Sequence, residues 1–99
     1  MKKKKLGHSW QNKELKSLFK AILKLRTQNE VAKFFRDLCT IEELTEMGKR
    51  FQAVKMIEKQ KPYREIAKKT GLSTTTVTRV AHWLNYGEGG YKLMLKRIK

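Results

Sequence analysis

The sequence is sparing with the residues that cross-link or interrupt a chain. It holds one cysteine, Cys39, and one proline, Pro62. A single thiol rules out an internal disulfide and a Cys-rich metal site, and it suits a reducing, cytoplasmic compartment. Acidic residues are also scarce: nine Asp and Glu stand against 24 Lys and Arg, a formal net charge of +15. A field of that sign collects polyanions, so nucleic acid or an anionic membrane surface leads the partner classes, although charge alone confers no base specificity. Long apolar runs are missing too. Met1 to Lys5 could open a secretory signal, but after Leu6 the chain reads GHSWQNKELK and supplies no hydrophobic core for one. Nothing approaches the ~18 apolar residues of a membrane span, so the chain is expected to be soluble, uncleaved and without a membrane partner. Period-two alternation, internal repeats and low-complexity segments beyond Lys2–Lys5 are likewise absent, and the fold class expected is all-α.

What is present is helical periodicity. Leu15, Leu18, Phe19, Ile22 and Leu25 recur at helix spacing behind Asn12, a suitable N-cap, and predict an amphipathic helix of about four turns. Thr27 or Asn29 opens a shorter helix with the stripe Val31, Phe34, Phe35 and Leu38. Thr40-Ile41-Glu42-Glu43 has the form of a capping box and starts a long helix striped by Leu44, Met47, Phe51, Val54 and Ile57. Pro62 stops that helix and can open the next. A chain of 99 residues buries only roughly 60 to 65 % of the surface it exposes unfolded. The three stripes carry more apolar bulk than so small a bundle hides, which predicts a two-fold homodimer. Residues 1–11 are expected to be a basic flexible tip, and residues 12–99 a single all-helical domain.

The stretch YREIAKKTGLSTTTVTRVAHWL, Tyr63 to Leu84, has the requirements of a helix-turn-helix at the correct offsets. Ala67 is small where two helices cross, and Gly71 can adopt the positive φ of the turn. Ile66 and Leu72 anchor the pair, and Val77, Val80, Ala81 and Leu84 form an i, i+3, i+4, i+7 stripe. Ser73 then caps the second helix, and its hydroxyl has a cap role as well as a DNA-contact role open to it. Thr74, Thr75, Thr78 and His82 fall on the face away from the stripe, where a major groove would meet them. Hydroxyls reach phosphates or base edges, and threonine methyls can touch thymine methyls. Arg64 has the donor fork for a guanine edge or a phosphate, and Lys68 and Lys69 suit sequence-independent phosphate contact. Beyond the motif, Asn85 to Gly90 is a turn rather than a phosphate loop, since no Gly-Lys-Ser/Thr follows. Tyr91, Leu93, Met94, Leu95 and Ile98 predict a last short helix packed as a lid.

Catalysis has no foothold. His8 and His82 sit in unrelated contexts, no carboxylate pair stands at a suggestive spacing, and Cys39 reads as a small apolar residue. The chain is not expected to be an enzyme.

The segment Asp37 to Leu84 resembles the Trp repressor superfamily, and within it the YerC/YecD-type Trp-repressor-like branch. The resemblance rests on Leu38-Cys39-Thr40, Met47-Gly48-Lys49-Arg50, Arg64-Glu65-Ile66, Gly71 and Thr76-Val77-Thr78-Arg79. It implies about six helices per chain, interlocked with a second copy as an intertwined dimer, and Tyr63 to Leu84 as the pair that reads double-stranded DNA. It also implies an effector pocket, because Trp repressor holds tryptophan between arginines matching Arg50 and Arg79, beside threonines matching Thr40 and Thr76. Here the sequence departs from the family: where the pocket needs a glycine and then a serine, this chain has Val80 and Trp83. These two are expected to block the pocket, with Trp83 in the space of a free indole and stacked on Arg79 or Arg50, so no cofactor is expected. Trp83 as plain interface core is the other reading open.

The function expected is a homodimeric, sequence-specific regulator of transcription, a repressor by resemblance. A basic RNA- or ribosome-associated protein, or a helix-turn-helix module of the sigma-factor or replication-initiator kind, is the alternative.

Overall fold

The computed structural model describes residues 10–99. The lysine tip at Lys2–Lys5 and His8 lie outside them. The described residues form six helices and no strand: α1 (Lys13–Ile22), α2 (Gln28–Leu38), α3 (Ile41–Glu58), α4 (Tyr63–Thr70), α5 (Thr74–Tyr86) and α6 (Gly90–Arg97). By its internal packing the chain divides after Cys39 into two compact units.

The first unit contains α1 and α2. Asn12 caps α1 through its side-chain oxygen, which accepts from the Leu15 amide at 2.8 Å. The helix is shorter than its apolar spacing predicts and ends at Ile22. Its closing turns are tight, with the Lys24 amide on the Ala21 carbonyl and the Leu25 amide on the Ile22 carbonyl. Thr27, not Asn29, then caps α2, with its hydroxyl 3.1 Å from the Glu30 amide. Within the unit Trp10 meets Phe19 edge-on, and Phe34 meets Phe35 edge-on at 5.7 Å between ring centres. Neither helix has a single buried residue. Two stripes of large apolar side chains that bury nothing fully are the structural form of the excess bulk that the sequence carries.

The second unit holds the core. At the head of α3 the capping box is complete: the Thr40 hydroxyl accepts from the Glu43 amide at 3.0 Å, and the Glu43 carboxylate accepts from the Thr40 amide at 2.8 Å. This helix packs against α4 and α5, α4 packs against α5, and α6 packs against α5. Because α3 meets two neighbours, it buries more than one stripe. Val54 is buried as expected, but Ala53 and Met56 are buried with it, while Met47 is exposed. Ile66, Leu72, Val77, Val80, Leu84 and Leu95 complete the cluster, with Ala67 and Tyr91 packed on its edge. Fully burying each aliphatic side chain contributes about 1.5–3 kcal/mol, which makes this small set the main source of the unit's stability.

The exit from α3 is costly for its residue type. The Lys61 amide bonds the Met56 carbonyl and the Gln60 amide bonds the Ile57 carbonyl, a Schellman closure that places Gln60 in the left-handed region at φ 62°. Glycine is the usual occupant, since a side chain here costs about 1–2 kcal/mol, partly offset by glycine's greater freedom when unfolded. Gln60→Gly should therefore raise the stability by about 0.5–1 kcal/mol, read as a shift in the urea midpoint at constant slope.

Candidate nucleic-acid interface

The candidate interface is built on α4, the turn after it and α5. Gly71 ends α4 at φ 82°, the positive value that the sequence reserves for it. Thr70, one residue earlier, is the one buried polar residue among those described. Its hydroxyl donates to the Ile66 carbonyl at 2.7 Å and accepts from the Leu72 amide at 3.2 Å, and so stitches the turn from within. Thr70→Val should cost about 1–3 kcal/mol, because it keeps the shape and strands the buried Leu72 N–H; thermal unfolding would measure it.

Ser73 caps α5. Its oxygen accepts from the Thr76 amide at 3.0 Å and its proton goes to the Thr76 hydroxyl, also at 3.0 Å. Of its two readings, the cap is the one seen in the structure. Val77, Val80, Ala81 and Leu84 are buried together, and this orients the rest of the helix. Thr74, Thr75, Thr78 and His82 are all exposed, as are Arg64, Lys68 and Lys69 on α4. The Thr78 hydroxyl donates back to the Thr74 carbonyl at 2.9 Å, so toward a ligand it offers its acceptor lone pairs and its methyl. Among the described residues, Arg64, Lys68, Lys69 and Thr75 have no ion pair or side-chain hydrogen bond. Their donors are available to an external partner.

Sequence reasoning passed over two residues here. The Lys49 ammonium, reaching from α3, lies 3.5 Å from the point where a Gly71 side chain would begin. The glycine makes the turn through its positive φ, and a cation stands beside that turn. Tyr86, 78 % exposed, stacks at 5.2 Å on His82 one turn back and extends the exposed face of α5 with an aromatic ring. The i, i+4 spacing to His82 was the available signal for Tyr86. None existed for Lys49, whose place depends on how α3 packs.

The residues matched to an effector pocket separate. Thr40 is committed to the α3 cap and Thr76 to the first turn of α5. Val80 is wholly buried in the core of its own chain, so its bulk is used in packing. Arg79 is exposed. Arg50 and Trp83 come together: the guanidinium carbon lies 5.8 Å from the centre of the indole, joining α3 to α5. Of the two arginines considered for the stack, Arg50 makes it. Its Nε is buried without a hydrogen-bond acceptor, and Glu46 at 3.5 Å is only an ion-pair neighbour.

Comparison with known proteins accounts for this geometry. The family model for the Trp repressor protein matches residues 13–99. The chain belongs to the Trp repressor family. It is 41% identical over 87 residues to the uncharacterized protein YerC of Bacillus subtilis (strain 168), a match that covers 88% of this chain and 84% of that one. A TrpR-like protein from Eubacterium eligens ATCC 27750 superposes with a TM-score of 0.84 at 41% identity, over 88% of this chain and 90% of the other. A candidate Trp repressor from Staphylococcus aureus gives 0.83 at 37% identity, over 99% and 94%. Fold and family are thus those of a DNA-binding regulator. Among the described residues no helix is long and apolar enough to cross a membrane.

Proposed function

We propose that this Trp repressor family member is a sequence-specific, double-stranded-DNA-binding repressor that acts as a homodimer. The observation that carries the DNA reading is the exposure of Arg64, Thr74, Thr75, Thr78 and His82, flanked by Lys68 and Lys69, on a helix pair whose inward residues Ile66, Val77, Val80, Ala81 and Leu84 are buried. The homodimer is supported by the apolar stripes of α1 and α2, which bury no residue fully in the single chain. In such a dimer residues 12–99 would act as one domain, and the two reading heads would meet half-sites about 34 Å apart on one face of the duplex.

The test is selection from a random duplex library by the purified protein at about 0.15 M salt. The expected result is a two-fold symmetric consensus, bound about a thousandfold or more tighter than random DNA. A ratio near unity, or preferential recovery of RNA, would reassign the chain as a general polyanion or RNA binder.

The proposal includes independence from a small effector at the Arg50–Trp83 site. Stacking of Arg50 on Trp83 links the reading helix to α3 with about 0.5–2 kcal/mol, from side chains already present. Titration calorimetry with free tryptophan should give no micromolar binding and no gain in DNA affinity. Micromolar binding coupled to tighter DNA binding would show that the indole of Trp83 does not replace a ligand.

A further inference from the structure

An open cavity of about 520 Å³ lies where the C-terminal ends of α3 and α5 meet α6. That volume falls within the range of small-molecule sites. Its position is at the end of α5 remote from Ser73, roughly 18 Å along the helix, and none of the DNA-reading residues lines it. The floor is apolar: Leu84 and Leu95 are buried, and Ile57 is half-buried beside them. The rim is cationic. Lys92 and Lys96 stand at i and i+4 on the face of α6 that also carries Leu95, and Lys99 follows just beyond the end of the helix. Leu93 and Met94, the exposed apolar residues of α6, and Ile98 at its C-cap do not line the cavity.

The charges at the rim do not balance. Among the described residues Glu58 is the one acidic side chain in the lining, and it is taken by Lys99 at 2.7 Å. Among the described residues Lys92 and Lys96 have no acidic partner. Gln60 also lines the cavity, from the left-handed position that a glycine would fill at lower cost.

We propose that this cavity binds a small molecule carrying one anionic group on an apolar body, an aromatic or branched carboxylate. The ammonium groups of Lys92 and Lys96 and the Gln60 amide hold the carboxylate, and the apolar body lies on Ile57, Leu84 and Leu95. A nucleic-acid phosphate would satisfy the lysines but leave the apolar floor wet, and a neutral hydrocarbon would leave the lysines unpaired. The site stands apart from the DNA reading and is tested without DNA, so either can fail alone.

The experiment is an NMR titration of the full chain with phenylacetate, 4-methylpentanoate and inorganic phosphate. Both carboxylates should give saturable shifts centred on the Leu84, Asn85 and Leu95 amides, with a dissociation constant on the order of 1 mM. Phosphate should bind about tenfold more weakly or not at all. Replacing Lys92→Gln and Lys96→Gln together should weaken the carboxylates about tenfold, while Lys20→Gln on α1 should change nothing. Gln60→Gly separates binding from folding, because it should reduce affinity in a chain that is more stable. Unsaturable shifts scattered over the lysines, phosphate binding as tight as the carboxylates, or unchanged affinity in the double variant would overturn the proposal.

Discussion

Phe35→Asp should convert the protein to monomers and lower its affinity for a two-half-site operator by about a hundredfold or more. Phe35 sits at the centre of the α2 stripe, half-buried and edge-on to Phe34. Val31 and Leu38 on the same helix are 40% and 48% exposed, and no α2 residue is buried. In the proposed dimer this stripe is covered by the second copy, and a carboxylate there would be desolvated with no partner, a cost of several kcal/mol. Two reading heads joined in one body bind the second half-site intramolecularly, and that advantage disappears with the dimer. Sedimentation equilibrium gives the mass, and fluorescence anisotropy on the selected operator gives the affinity. Folding and association should be linked, so the native protein's melting temperature should rise with concentration and the variant's should not. A variant that sediments as a dimer would remove α2 from the interface.

Raising the salt from 50 to 200 mM should weaken operator binding by about a thousandfold or more. The reason is counterion release: each phosphate neutralised contributes about 0.9 to the slope of log affinity against log salt, and six or more contacts across two heads give that loss. Lys68 and Lys69 on each α4, with Lys49 beside the turn, supply six ammonium groups per dimer. Lys69→Ala should reduce the slope and weaken all sequences alike. Arg64→Ala and Thr75→Ala should behave differently, relaxing preference at particular base pairs by about 1–3 kcal/mol where a direct contact is lost. A uniform loss across sequences for Arg64→Ala and Thr75→Ala would place both residues on the phosphate backbone. A slope near zero would deny the electrostatic footprint altogether.

The Arg50–Trp83 contact shows how a family resemblance needs the tertiary structure beside it. The sequence marks Val80 and Trp83 together as bulk where a pocket would be. In the fold they have different fates, since α5 turns Val80 into the core and leaves Trp83 43% exposed under Arg50. Helical period alone separates the two residues by three positions, and only the placement of α3 determines which arginine meets the ring.

The sequence by itself determined what depends on local chemistry. Asn12, Thr27, Thr40 and Ser73 cap their helices because a short side-chain oxygen can reach an amide two or three residues on, whatever surrounds it. Gly71 takes its turn because a positive φ favours a residue without a side chain, and the stripe from Val77 to Leu84 is buried because its spacing keeps it on one face. Tertiary structure decided what depends on residues distant in the chain. It buried Ala53 and Met56 by giving α3 two neighbours, brought Lys49 to the turn, stacked Arg50 on Trp83, and formed an open, basic-rimmed cavity between α3, α5 and α6. Periodicity fixes the direction of a side chain around its own helix axis, whereas a contact between helices needs their crossing angle and offset, and these follow from the packing of the whole core.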